Sequence, residues 1–396
     1  MKRILFVDDE PRLLDALRRM LRPLHNEWDM RFVTSGPEAL EKLAAEPFEI
    51  VITDLRMPGM DGPELLAAIR DRCPDTTRII LSGTTDMDVT MQSVAMAHQF
   101  LAKPCEPQTL RNTIRRAFAL SHLIAAPLQR AISRISVLPS VPTLSQQVML
   151  ELRSEDPSIQ RVARIVEQDP AMTAKMLQLV NSAFFGFRRH IRTPAEAVVY
   201  LGLETMSMLA FSAEMFYEFA PAGLRHFCIE TFWRHSLATS ALAWKVAVSE
   251  GGSLHVAEVA LLAGLLHDVG KLVFATAFSQ EYDDVLARTE EQGIGELEGE
   301  RQAFGATHAE AGAYLLWLWG LPDSIVEAIA FHHAPSVCPG GNPVPLTAVH
   351  VANVLAGERD GAACGGAPPT LDLGYLERAG RSERVSAWRS MLQTVV

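Results

Sequence analysis

The chain has 396 residues, a length that suits two or three domains rather than one. Hydrophobic residues make up 48% and charged residues 21%, a globular composition that excludes a wholly disordered or fibrous chain. The 36 basic residues stand against 47 acidic ones, and the net charge of −11 argues against a generally basic nucleic-acid face.

The five cysteines are too few and too scattered for a disulfide framework or a CxxC zinc site, and they suit a reducing cytosol. Ile4-Leu5-Phe6-Val7 opens the chain as a short apolar run. It is too short for a signal-peptide core, and Asp8-Asp9-Glu10 follows at once, so it reads as a buried first strand. Leu13, Leu14, Leu17, Met20 and Leu21 then recur at helical spacing. Met30–Val33, Ile50–Ile52, Ile79–Leu81 and Phe100-Leu101 are further strand candidates, with helices expected between them and over Pro107–Ala119. Five such β-α repeats imply a parallel sheet covered on both faces, with ligands at the carboxyl ends of the strands.

Those ends carry the chemistry. Asp8 and Asp9 follow the first strand, Asp54 the third, Ser82 the fourth and Lys103 the fifth. Converging carboxylates repel unless a cation joins them, and a hard oxygen-binding ion such as Mg²⁺ fits. Lys103 and the Ser82 hydroxyl could then neutralise phosphoryl oxygens while Asp54 attacks phosphorus. A single acidic residue at a strand end is commonplace. Five such residues in the right order are not.

With Met57-Pro58-Gly59-Met60-Asp61-Gly62, Ser82-Gly83 and Lys103-Pro104, residues 1–120 resemble a response-regulator receiver domain. The resemblance implies an α/β flavodoxin-like fold with a five-stranded parallel sheet. It implies that Asp54 accepts phosphate from a histidine kinase. It also implies Mg²⁺ held by Asp9 and Asp54, by Asp8 directly or through water, and by the main-chain carbonyl of Arg56. Phe100 falls at the family's aromatic switch position, and the face from Met87 to Leu101 becomes the expected contact with the output domain or a second receiver.

Residues 121–137 read as a helical linker, with Pro127 as its break. Helix starts then recur: Asp156-Pro157 and Asp169-Pro170 each place an N-cap carboxylate before a proline, and Thr193-Pro194-Ala195-Glu196 is a capping box. Met172 and Met176 at helical spacing read as core. His235, His267, Asp268, His308, His332 and His333 stand out, because buried imidazoles and carboxylates are costly unless paired or metal-bound. Two readings stay open: ligands of a divalent transition metal, iron, manganese or zinc, or a hydrogen-bonded polar core.

Residues 138–335 resemble the HDOD domain, an all-α helical bundle related to HD phosphohydrolases. The motifs that carry the likeness include Gln168-Asp169-Pro170, Asn181-Ser182-Ala183-Phe184-Phe185-Gly186, Ala197–Gly202 and Leu266–Lys271. The resemblance implies a regulatory or scaffolding module. Asn353 stands where HD hydrolases carry a metal-binding Asp, and no Gly-Tyr-Pro follows His332-His333. Lys271 is the candidate phosphate contact. Gly357–Pro369 reads as a loop in a Gly/Pro-rich segment spanning residues 336–396, closed by a helix with Leu373, Leu376, Trp388 and Leu392 as packing residues.

The expectation is a cytoplasmic two-component response regulator whose HDOD domain binds other signalling proteins. The alternative is a phosphorylation-controlled, metal-dependent phosphohydrolase acting on a cyclic dinucleotide or nucleotide. Expected partners are the cognate kinase, signalling proteins and a second copy in a homodimer. No nucleic acid or membrane is expected, since no run reaches the roughly 18 apolar residues of a membrane helix.

Overall fold

A computed structural model describes residues 2–82, 96–121, 124–133, 135, 139–140, 144, 147–148, 150–151, 154, 156–181, 191–200, 217–218, 224–339, 341, 343–360 and 369–392. Gly83, the 87–95 part of the expected contact face, Ser182–Gly186 and Leu201-Gly202 lie outside the described residues. The chain forms two compact units, one centred on residues 1–136 and the other taking in most of the chain beyond.

The first unit alternates strand and helix. Its strands are β1 (Lys2–Val7), β2 (Trp28–Val33), β3 (Ile50–Thr53), β4 (Thr77–Ser82) and β5 (Gln99–Ala102). They form one parallel sheet in the order β2-β1-β3-β4-β5. Ile4 to Val7 and Ile50 to Ile52 are all buried, as continuous apolar runs covered on both faces must be. Around the sheet run α1 (Pro11–Leu21), α2 (Gly36–Ala45), α3 (Gly62–Arg72), α4 (Pro107–Ser121) and α5 (Ala126–Ile132). Local chemistry sets their starts: Ser35 caps α2, and Asp61 with Glu64 closes a reciprocal capping box on α3.

Within the expected linker the described residues form α5, and Pro127 sits in its first turn, where a missing N–H costs nothing. A buried arginine pins α5 to the sheet unit. Arg78 of β4 donates from Nε to the Met96 carbonyl at 2.7 Å and from Nη2 to the Ser133 carbonyl at 3.0 Å. The buried His98 ring lies 2.7 Å from the same Nη2. Ser133 Oγ donates to the Pro74 carbonyl at 3.0 Å.

The second unit is helical apart from a two-residue pair of strands, Pro139–Ser140 with Tyr217–Glu218, among the described residues. Its helices include α6 (Ile159–Val166), α7 (Pro170–Val180), α8 (Ile229–Ser249), α9 (Leu254–Leu266), α10 (Val269–Ala277) and α11 (Ser279–Gln292). They continue with α12 (Glu296–Phe304), α13 (His308–Leu318), α14 (Asp323–Phe331), α15 (Val344–Asp360), α16 (Leu373–Arg378) and α17 (Val385–Leu392). α9 packs against α8, α14 and α15. Asp169 caps α7 as expected, accepting from the N–H groups of Ala171 and Met172, and Met172 and Met176 are fully buried core. Thr193 accepts from the Glu196 N–H as the capping box requires.

Three expectations need correction. α6 is capped by Ser158 rather than Asp156, because the hydroxyl two residues later accepts from the Arg161 N–H. α15 runs through Gly357 to Asp360, so the loop expected from Gly357 begins later; burial of Val349 to Ala356 outweighs the local composition. Leu373 is 62% exposed, while Leu376 and Trp388 are fully buried and the Leu392 side chain lies outside the described residues. No run of about 18 apolar residues appears: a window within Leu254–Ala277 reaches a mean hydropathy of 1.5, but 83% of that window is buried inside the unit and His267-Asp268 interrupts the stretch.

Candidate functional site

Sheet register builds the first site. Val7 of β1 pairs with Thr53 of β3, so the next residues, Asp8 and Asp54, leave the sheet side by side. Ser82 pairs with Ala102, which delivers Lys103 to the same edge. Lys103 Nζ lies 2.7 Å from Asp8 Oδ2 and 2.8 Å from Asp54 Oδ1. The Lys103–Pro104 peptide is cis.

Burial raises the Asp54 carboxyl above its ordinary value; Lys103 opposes this and the charge of Asp8 adds to it. Burial works against the Lys103 ammonium, but its hydrogen bonds to Asp54 and Asp8 overcome that and raise its pKa. Asp9 stands half-buried beside Asp8, and the Arg56 side chain is exposed. Ser82 ends β4 and Phe100 lies within β5, but their side chains are outside the described residues. Gly62 is fixed by this geometry: a Cβ there would fall 2.3 Å from the Asp54 carbonyl oxygen. The start of α3 therefore presses directly on the phosphoacceptor candidate's main chain.

The second cluster assembles from five helices and the turns that end them. His235 comes from α8, His267 and Asp268 from the turn between α9 and α10, His308 from the start of α13, and His332 and His333 from the end of α14. Asn353 of α15 sits 2.9 Å from His235 Nε2. Asp268 Oδ1 is 3.2 Å from His267 Nε2, 3.1 Å from His308 Nε2 and 3.7 Å from His332 Nε2. His308 Nε2 also lies 2.9 Å from His333 Nε2. All the residues sought in the sequence are thus brought together.

The opposite faces of the rings are satisfied: Nδ1 of His267 donates to the Gly264 carbonyl and Nδ1 of His332 to the Ile329 carbonyl. The inward atoms are not. His267 Nε2, His332 Nε2 and Asp268 Oδ1 are buried without a well-aligned hydrogen bond, the short approach of His308 to Asp268 being out of line. Buried polar atoms left so are costly, and convergent lone pairs on nitrogen and oxygen fit a divalent transition metal. Asp268, His308, His332 and His333 form one such donor set, and His235, His267 and Asp268 another.

Burial pushes His267 down to about 4, against the pull of Asp268, and drives His332 and His333 well below the ordinary imidazole value. Burial also disfavours the His308 imidazolium, yet Glu300 and Asp268 lift it to about 10. Burial alone would raise Asp268, but His267, Lys271 and His308 hold it well below the carboxylate range. With His267 neutral at pH 7, Lys271 and His308 supply the charge that matters.

Lys271 Nζ is 3.1 Å from Asp268 and 3.1 Å from Glu296, so both of its near partners are carboxylates. Reading the sequence missed Glu296, Glu300 and His350. His350 Nδ1 donates to the His332 carbonyl at 2.7 Å, and its Nε2 accepts from the Asp372 N–H at 3.0 Å. It ties the cluster to the C-terminal helices. Its place one α15 turn before Asn353 was the available signal.

Comparison with known families fits this geometry. A model of the HDOD domain matches residues 138–335, half of the chain, and a model of the response regulator receiver domain matches residues 4–115. The chain belongs to the HDOD family and carries a receiver domain. This HDOD response regulator is 36% identical over 155 residues to the hydrogenase transcriptional regulatory protein HoxA of Cupriavidus necator, covering 38% of this chain and 30% of HoxA. It is 29% identical over 210 residues to the response regulator protein PilR of Pseudomonas aeruginosa, covering 48% of this chain and 46% of PilR. The HDOD regulator thus spans less than half the length of these curated relatives. The crystal structure of the MmoQ response regulator from Methylococcus capsulatus shares its fold, with a TM-score of 0.51 and 24% identity, covering 64% of this chain and 98% of that one.

Proposed function

We propose that the chain is a two-component response regulator in which a histidine kinase phosphorylates Asp54 and so controls the HDOD domain as a protein-binding output module. The observation that carries this reading is the shared edge of Asp8, Asp54 and Lys103, with the ammonium within 2.8 Å of both carboxylates. An Asp54 oxygen bonds to phosphorus as the bond from phosphorus to the kinase imidazole breaks. Lys103 and the Ser82 hydroxyl take up charge on the phosphoryl oxygens. Asp8, Asp9, Asp54 and the Arg56 carbonyl would hold Mg²⁺, which supplies charge neutralisation between carboxylates and phosphate. Phosphorylation shifts an existing balance through these contacts, with Ser82 and Phe100 as the responding pair. The partners are the cognate kinase and other signalling proteins, in the cytoplasm, with a homodimer as the candidate assembly. A pull-down comparing phosphorylated protein with Asp54→Asn tests the output: the bound signalling proteins should differ, and identical sets would contradict it.

A second reading is favoured by the orphaned atoms of the histidine cluster: a metal-dependent phosphohydrolase acting on a cyclic dinucleotide or nucleotide. Iron, manganese or zinc at His235, His267, Asp268, His308, His332 and His333 would polarise a phosphodiester and a water. Lys271 could contact phosphate only by leaving a carboxylate partner. Asn353 replaces a charged ligand with a neutral one, which weighs toward binding without turnover. Metal analysis with a phosphodiester panel separates the two readings: bound metal and turnover support the enzyme, and absence of turnover supports the module.

A further inference from the structure

His308 is held unlike His267 and His332. Nδ1 of His267 and of His332 donates to a carbonyl three residues back on its own helix, at 2.8 and 2.7 Å. His308 opens α13, so no helical turn precedes it to supply such a carbonyl. Its Nδ1 lies instead 2.9 Å from each oxygen of Glu300, and its main-chain N–H donates to Glu300 Oε2 at 2.8 Å. Glu300, on α12, is wholly buried. A carboxylate is expensive to desolvate unless well paired, and this one spends its pairing on His308. The other side of His308 is fixed by main chain: a Cβ on Gly270 would fall 1.9 Å from the His308 carbonyl oxygen, so α10 starts directly against α13.

We propose that Glu300 is a positioning residue for a metal ion held by Asp268, His308, His332 and His333. The proposal rests on the metal-binding reading of this cluster and adds a residue to it. Glu300 does not touch the ion. By engaging Nδ1–H it turns Nε2 toward Asp268 Oδ1, 3.1 Å away, and His333 Nε2, 2.9 Å away. A carboxylate on the far nitrogen also makes an imidazole a more basic ligand than a carbonyl does. His308 thereby becomes a stronger nitrogen donor than His332, whose Nδ1 meets a carbonyl.

The test titrates chelator-stripped full-length protein with Mn²⁺ and with Zn²⁺ against a chromophoric chelator, with thermal unfolding of the same metal-free samples alongside. Glu300→Gln keeps the side-chain volume and an oxygen for Nδ1–H but removes the charge. Its metal Kd should weaken by about 10–100-fold, the range for loss of an outer-shell partner. Glu300→Asp should fall between Gln and wild type, and Glu250→Gln, a carboxylate engaged by Arg381 and Arg384, should leave Kd unchanged. A folded Glu300→Gln protein with wild-type Kd overturns the proposal. If Gln does not fold, Glu300→Asp with wild-type Kd overturns it equally. Wild-type protein that takes up no metal sinks the metal reading itself, a result distinct from a normal wild type with an indifferent variant.

Discussion

In the receiver unit, Asp8, Asp54 and Lys103 meet at the open edge of a sheet, where the Asp54 and Lys103 side chains keep 15% and 22% of their exposure. In the helical unit, Asp268, His267, His308 and His332 meet in the middle of a bundle, with none of these side chains above 4% exposed. Both gather negative charge that must be balanced. At the sheet edge one ammonium does so, and it and Asp54 keep contact with water, so the site can change its charge and recover. In the bundle Lys271 and His308 balance Asp268, and Glu296, Glu300 and the helix carbonyls hold those partners in place. That difference in depth suits one site to a transient phosphoryl group and the other to a permanent role, as metal cradle or as polar core.

The comparison breaks most visibly under substitution of the central aspartates. Asp268→Ala takes from Lys271 one of its two carboxylate partners and leaves the buried imidazoles around it unpaired, and should cost about 3–5 kcal/mol in denaturant unfolding. Asp54→Ala should cost far less, because burial already disfavours that carboxylate and Lys103 keeps Asp8. Equal losses would show that depth does not separate the sites.

Two main-chain contacts sharpen the receiver side. Gly62→Ala pushes a methyl against the Asp54 carbonyl and should cost about 1–3 kcal/mol, with slower phosphorylation; a neutral effect would mean the α3 start does not constrain Asp54. Arg78→Met leaves the Met96 and Ser133 carbonyls without their donor and should cost about 1–3 kcal/mol. Hydrogen exchange should rise in residues 124–133 of this variant, and unchanged exchange there would exclude Arg78 as the pin of α5.

Proton linkage gives a pH signature, since its contributions act on opposite sides of one pH. His308, lifted from 6.5 to about 10, lends metal-free protein stability that is complete below 6.5 and is lost as pH rises toward 10. His267, lowered from 6.5 to about 4, lends stability present above 6.5 and lost as pH falls toward 4. The raised Lys103 keeps its contribution throughout that window. Thermal unfolding of the stripped protein should peak near pH 6.5, and a midpoint flat from pH 4 to 10 would remove the cluster's electrostatic account.

The same difference in depth decided what could be read from the sequence. Strand ends are local: Asp8, Asp54 and Lys103 each follow an apolar run, so their convergence follows from parallel pairing alone, as the Val7–Thr53 register bears out. The histidines were equally visible, and so was Asn353, which lies 2.9 Å from His235 Nε2. Their supports were not. Glu300 serves His308 across a helix junction, and His350 serves His332 through a carbonyl, and neither contact leaves a periodic trace. Arg78, just before the apolar run Ile79–Leu81, is among the largest fully buried side chains, and its local sequence carries no sign of that.

The central claim is that Asp54 is the phosphoacceptor of this HDOD regulator. Intact-protein mass spectrometry after incubation with acetyl phosphate and Mg²⁺ tests it most directly. Wild-type protein should gain a single hydroxylamine-labile phosphoryl adduct, Lys103→Ala should still gain it, and Asp54→Asn should gain none. An Asp54→Asn protein labelled to the wild-type extent would contradict the account.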